Sequence, residues 1–264
     1  MSSPIRLAAA LGAVACVGLL FAGLGASHRQ GARVALADYS SLPAAPSPAL
    51  KIGRPEGLGP SRFLSRWTTV LRPAVARATP SAGGSVLTEL GPRTAERTPT
   101  ALGVLRSRAD SRGRVWVEVR LPILPNGSVG WLPRGALGAY QTVDTHLVVA
   151  RRLLRATLYR AGKEVFTARV GVGTSSSPTP AGEFIVRNRL TRYASPFYGP
   201  VAFGTTARSE VLTDWPAGGF VGIHGTNVPQ LLPGRVSHGC IRMRNSDILR
   251  LARLMPVGTP LTIR

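Results

Sequence analysis

The sequence predicts a mainly β protein with a single helix near its C-terminal end. Two patterns carry this reading. Residues 157–170 alternate apolar and polar side chains on both sides of a turn containing Gly162, which is the period-two signature of a hairpin. Ile248, Leu251, Ala252 and Met255 recur instead at helical spacing, with Asn245 placed as an N-cap, Asp247 in the first turn and Pro256 as the stop. Segments 67–70, 115–119, 183–186 and 260–263 read as further strands, and Asn126-Gly127 reads as a two-residue hairpin turn between β-rich flanks.

Composition narrows the function classes. The 264 residues contain 33 Lys+Arg against 12 Asp+Glu, a net charge of +21, and are 44% hydrophobic. Such a chain can bury a core and is not wholly disordered. The 30 glycines and 22 prolines show no G-x-y period, which excludes collagen. Two cysteines, Cys16 and Cys240, exclude a disulfide scaffold and a four-cysteine zinc module. One apolar run, residues 7–26, excludes a multi-pass membrane protein.

That run follows the single charge of Arg6, the shape of an export signal or an uncleaved anchor. Residues 1–37 are assigned to it, with Ala35-Leu36-Ala37 as a cleavage candidate. Arg29 and Arg33 beyond the run oppose the usual orientation of an anchor, and cleavage stays open. Ala15-Cys16 offers lipidation as a minor alternative. The expected location is the cell envelope, with membrane contact only through this segment. The positive charge is almost all arginine, Lys51 and Lys163 being the two lysines. It reflects either a GC-rich genome or attraction to an anionic cell-wall polymer or membrane surface. Scattered arginines without a basic helix argue against nucleic acid.

Residues 38–65, rich in Pro, Ala, Ser and Gly, read as a linker. Residues 66–139 read as a β module. Within it, 116–119 followed by Gly130-Trp131-Leu132 resembles the small bacterial SH3-like barrels found beside cell-wall enzymes. Trp116 and Trp131 are read as core residues in preference to a platform for glycan. Residues 140–264 carry the chemistry, and a fragment beginning near Ala139 is expected to fold with a reactive thiol.

Two segments lead to the remaining cysteine: Gly222-Ile223-His224-Gly225-Thr226 and Ser237-His238-Gly239-Cys240-Ile241-Arg242. A zinc site of His224, His238 and Cys240 has unusual ligand spacing and lacks a fourth ligand. A purely structural role explains poorly why two of four histidines and the lone thiol converge on glycine-rich sequence. A cysteine nucleophile with a histidine base explains both, since imidazole activates a thiol that is mostly protonated at neutral pH. Spacing alone leaves either histidine as base, because residues two apart in extended chain face one side. Gly239 permits close approach, so that its N–H and that of Cys240 are candidates for an oxyanion site.

These two segments resemble the catalytic signature of the L,D-transpeptidases of bacterial cell walls. The resemblance extends to Val170-Gly171-Val172-Gly173 followed by Thr179-Pro180-Ala181-Gly182 and spans roughly residues 143–264. It implies a β-rich catalytic domain with one helix before the last strand, no metal or organic cofactor, and peptidoglycan stem peptides as acyl donor and acceptor. It also implies that Cys240 attacks the meso-diaminopimelyl–D-alanine bond, releases D-Ala and forms a 3→3 cross-link, and that carbapenems acylate it. A hydrolytic outcome on the same fold and a wall-binding protein with a vestigial site are the alternatives. By residue, the resemblance assigns His224 as base, oriented by the carbonyl of Gly225, and His238 as support on the oxyanion side. Ser237, Thr226 and Arg242 are assigned to substrate binding, with loop fixing or a solvated surface position as alternatives for Arg242.

Overall fold

The computed structural model describes residues 56–57, 63–191, 196–212 and 219–264. The expected export segment with Cys16, and nearly all of the linker, lie outside these residues. The described residues fall within one compact unit, built from two β-sheets.

The first sheet comprises β1 (Glu56–Gly57), β2 (Ser65–Thr69), β3 (Ala74–Arg77), β4 (Val86–Leu90), β5 (Ala101–Ala109), β6 (Val115–Arg120), β7 (Val129–Pro133) and β8 (Gln141–Val143). Its order is β4-β3-β7-β6-β5-β2-β8, with β1 paired to β5. Val70, Leu102, Val104, Val117, Val119 and Leu132 form its core. Trp116 is 2% exposed, and its indole Nε1–H donates to Asp110 Oδ2 at 3.0 Å. Trp131 is also buried, with the Arg106 guanidinium 5.5 Å from its ring centre. Both tryptophans are therefore core residues. One expectation is corrected here. Asn126-Gly127 is not a two-residue hairpin loop, because β6 ends at Arg120 and β7 begins at Val129. The pair sits at the tip of a longer loop, in a turn closed by the Ser128 N–H donating to Pro125 O at 3.3 Å. Gly127 has a φ of +88° and Asn126 is not among the residues of positive φ, which is not the type I′ geometry of a minimal hairpin.

The second sheet contains β9 (Thr145–Ala150), β10 (Arg155–Arg160), β11 (Lys163–Arg169), β12 (Gly171–Gly173), β13 (Gly182–Leu190), β14 (Ala202–Arg208), β15 (Phe220–His224), β16 (Gly234–Ser237), β17 (Ile241–Arg242) and β18 (Pro260–Ile263). The order is β11-β10-β9-β18-β13-β14-β15-β17-β12-β16. The expected 157–170 hairpin is β10 and β11. Strand β13 changes partner along its length: Gly182 to Ile185 pair with β18, and the residues from Val186 onward pair with β14. That switch joins the outer hairpin to the part of the sheet carrying the two histidine segments.

Among the described residues the one α-helix, α1, spans Asn245–Leu254 and buries Ile248, Leu251 and Ala252, the stripe expected from spacing. Its start differs from expectation. Arg244 occupies the cap position without a side-chain cap, and Asn245 is the first helical residue. Its last turn is satisfied from the sheet. Arg189 Nη1 donates to Ala252 O at 3.0 Å and Arg160 Nη2 to Leu254 O at 2.8 Å, which places positive charge on carbonyls left without helical partners.

Candidate active site

The site is built on two parallel neighbours, β15 and β17. Their register pairs Ile223 with Ile241 and His224 with Arg242. Alternation along each strand then sorts the side chains. Val221, Ile223, Ile241 and Met243 enter the core. Phe220, Gly222 and His224 on β15, with Cys240 and Arg242 on the neighbouring segment, take the other face. Cys240, His224, His238 and Arg242 line a common cavity of about 350 Å³ with Tyr198 and Phe220.

The His224 ring is 3% exposed and lies edge-on to Tyr198, with centroids 4.9 Å apart. Its Nδ1 is 2.6 Å from Gly225 O. A carbonyl can only accept, so Nδ1 carries the proton and Nε2 presents its lone pair. Burial pushes the His224 pKa down to about 4; the Gly225 carbonyl opposes this and the charge of Arg242 reinforces it. Burial pushes the Cys240 thiol up, against the Gly222 N–H and Arg242, which favour the thiolate. At neutral pH the resting pair is therefore a neutral imidazole beside a protonated thiol.

Gly222 lies close to both. Its N–H points at Cys240 Sγ, 3.4 Å away. A Cβ placed on it would fall 3.8 Å from His224 Cδ2 and 3.9 Å from Cys240 Sγ. A branched side chain at 222 would crowd both the thiol and the imidazole. Gly222 belongs to the segment singled out from the sequence, yet only the pairing of β15 with β17 reveals this role.

The turn before Cys240 is held by two buried hydroxyls. Ser237 Oγ accepts the Gly239 N–H at 3.1 Å and donates to Cys240 O at 2.6 Å. Thr179 Oγ1 accepts the Gly173 N–H at 2.8 Å and donates to Gly239 O at 2.8 Å. Gly239 has a φ of +116°, a conformation that side chains oppose. Two sequence assignments change accordingly. The Gly239 N–H is committed to Ser237, so it does not serve as an oxyanion donor in this arrangement. Ser237 is 1% exposed with its hydroxyl inside the turn, so it does not face the cavity.

Thr226 is likewise buried. Its N–H donates to Asn245 Oδ1 at 2.9 Å, and its Oγ1 accepts the Val228 N–H at 3.1 Å. It anchors the loop after His224 and does not line the cavity. The Asn245 side chain therefore ties the His224-Gly225-Thr226 loop to the start of α1 and caps nothing. Arg242 reaches the cavity wall while its Nη1 donates to Val236 O at 3.2 Å, which fits the loop-fixing alternative. His238 is exposed at the cavity rim. The structure thus brings Cys240, His224, His238 and Arg242 to one cavity and puts Ser237, Thr226, Gly225 and Gly239 into its support. Thr179 and Asn245 were missed as site residues, because their contacts join segments far apart in the chain.

Comparison with known proteins places these residues in context. The sequence model of the L,D-transpeptidase catalytic domain (YkuD) matches residues 144–263. The YkuD protein of Bacillus licheniformis, which carries an L,D-transpeptidase name, is 34% identical over 122 residues, covering 46% of this chain and 67% of that protein. The YkuD protein of Bacillus subtilis matches with the same identity and coverage. Among solved structures, the catalytic domain of the Enterococcus faecium L,D-transpeptidase is 27% identical with a TM-score of 0.36, covering 46% of this chain and 97% of that one. A mutant form of the enzyme from that organism, 22% identical with a TM-score of 0.37, is covered over 49% of its length.

Proposed function

Because the chain belongs to the L,D-transpeptidase catalytic-domain family, which acts on peptidoglycan stem peptides, we propose that it is an exported enzyme forming 3→3 cross-links through a Cys240 thioester. The observation that carries this reading is that the Cys240 thiol and the His224 imidazole share one cavity and both approach Gly222, with His224 Nδ1 committed to the Gly225 carbonyl.

In the first step the Cys240 thiol gives its proton to His224 Nε2 as sulfur attacks the meso-diaminopimelyl carbonyl of a tetrapeptide stem. The C–N bond to D-Ala breaks, the imidazolium returns the proton to the leaving amine, and a thioester remains. The side-chain amine of a second stem then attacks the thioester. Its proton passes to Nε2, an amide forms, the S–C bond breaks, and the thiolate recovers the proton. Negative charge on the tetrahedral oxygen is received by the Cys240 N–H. That N–H shares a planar trans peptide with the Gly239 carbonyl, which Thr179 holds in the opposite direction. His238 supports the same side from the rim, and Arg242 keeps positive charge near the developing thiolate and presents it to stem carboxylate.

No cofactor enters this scheme. The first sheet is read as the SH3-like module, with its two tryptophans in the core. The envelope location and the association of its positive charge with anionic wall polymer belong to the same proposal. Incubation of the full chain with disaccharide-tetrapeptide, followed by mass analysis, tests it. A cross-linked dimer less one D-Ala is the expected product. Tripeptide alone would reassign the reaction to hydrolysis, and unchanged substrate would leave only a binding role.

A further inference from the structure

The family match begins at residue 144, yet one wall of the cavity is held from the first sheet. The loop between β6 and β7 carries Asn126 across to the end of β14. There Asn126 Oδ1 accepts the Arg208 N–H at 2.9 Å and Asn126 Nδ2 donates to Arg208 O at 2.8 Å. One side chain thus binds both main-chain groups of Arg208, as a neighbouring strand would. Nδ2 also lies 3.2 Å from Glu210 Oε1.

The residues that follow form the wall. Ser209 and Leu212 line the cavity, and Ser209 Oγ accepts the N–H groups of Val211 and Leu212 at 3.2 and 2.9 Å. The Ser209 N–H donates to Gly219 O at 2.8 Å, next to Phe220. A second support reaches Phe220 from below. Its ring packs against the guanidinium groups of Arg187, 3.9 Å from the ring centre, and Arg208, 5.0 Å away. Arg187 is buried and paired at 2.5 Å with Glu96, which belongs to the first sheet's β4–β5 connection. Asn188 donates to Thr98 of that connection at 3.0 Å.

We infer that the first sheet is part of the catalytic apparatus, with Asn126 as a positioning residue that fixes the donor-facing wall 209–212 and Glu96 holding Arg187 beneath Phe220. This deepens the proposed reaction and rests on it for the identity of the donor. The contacts join backbone of the wall, not the Cys240–His224 pair, so their loss misplaces substrate and leaves the thiol's chemistry intact. A misplacement of about 1 Å can cost on the order of a hundredfold in rate.

The test compares full-length wild type, Asn126→Ala, and Ser128→Ala as a control from the same loop whose hydroxyl bonds only Pro125 O. Two readouts are taken: hydrogen exchange of the 208–212 amides, and KM for tetrapeptide donor against the rate of Cys240 alkylation by iodoacetamide. Asn126→Ala should speed exchange at 208–212 by about tenfold or more and raise KM about tenfold, with alkylation within about twofold of wild type. Ser128→Ala should change neither. Unchanged exchange at 208–212 in Asn126→Ala, or acceleration spread evenly through both sheets, would overturn the inference. If wild type fails to process the donor, the proposed reaction falls, while the exchange readout still decides the role of Asn126.

Discussion

His224 differs from an ordinary histidine in carrying its base function far into the acid range. Its pKa of about 4 arises from burial, and above that pH Nε2 is unprotonated and able to accept the thiol proton. The acylation rate should therefore be flat between about pH 8 and 5.5 and fall only as pH drops through about 4. A base with the ordinary value near 6.5 would already have lost about thirtyfold at pH 5. The pH profile of carbapenem acylation, read by intact mass, separates the two; a midpoint near 6.5 contradicts the structure. Gly222 supplies a steric test at the same scale. A single methyl at 222 meets its neighbours at ordinary contact distance, the nearest being Phe203 O at 3.5 Å. Gly222→Ala should thus stay within about threefold of wild type, whereas Gly222→Val should cost about a hundredfold by crowding the thiol and imidazole out of their gap. Equal effects of the two substitutions would show that the gap is not used.

Between elements, the catalytic turn depends on a hydroxyl bridge from Thr179, outside its own segment. Thr179→Val keeps the shape of the side chain but leaves the Gly239 carbonyl and the Gly173 N–H unpaired in a buried site, at about 1–3 kcal/mol each. It also frees the peptide that aims the Cys240 N–H. Acylation should drop on the order of a hundredfold, and Thr179→Ser should restore most of it; a silent Thr179→Val, by the same mass assay, would remove Thr179 from the account. Such bridges mark where the sequence stops being legible. The β10–β11 hairpin, β6, β18 and the α1 stripe announce themselves through local periodicity. Strands β12 and β17 are too short to show alternation, and their partners are set by long-range pairing. The segments bearing His224 and Cys240 stand out by residue type, but their proximity comes from the parallel register of β15 and β17. The inward hydroxyls of Ser237 and Thr226 look from sequence like substrate contacts, because burial is not encoded in a short glycine-rich motif. Asn245 has the composition of a cap and the geometry of a tie between loop and helix.

At the scale of the whole molecule, the two sheets are less separable than the sequence suggests. β8 pairs with β2 and β9 begins directly after Asp144, while Glu96, Thr98 and Asn126 reach into β13 and β14. Trp67 lies against Gly258 and Phe63 against Gly162. A fragment starting near Ala139 would lack Glu96, the partner of Arg187, and would uncover the face of β13 where Ile185 packs against Gly103 of β5. The expectation that such a fragment folds independently is therefore revised: it should be insoluble, or melt well below the full chain by circular dichroism. A fragment as stable as the full chain would contradict this. The central claim is that His224 takes the proton from Cys240. Its most direct test is carbapenem acylation of Cys240, followed by intact mass at pH 7 and at about pH 9.5, where more of the thiol is ionised. Wild type, His224→Ala, His238→Ala and a Cys240→Ala blank are compared. The account predicts that His224→Ala loses about 10²–10⁴-fold at pH 7 and recovers part of it at the higher pH, because the thiolate fraction of even a raised thiol grows about tenfold per pH unit. His238→Ala should be slower at both values without recovery. Alkaline recovery of His238→Ala and not of His224→Ala would contradict the account and make His238 the base.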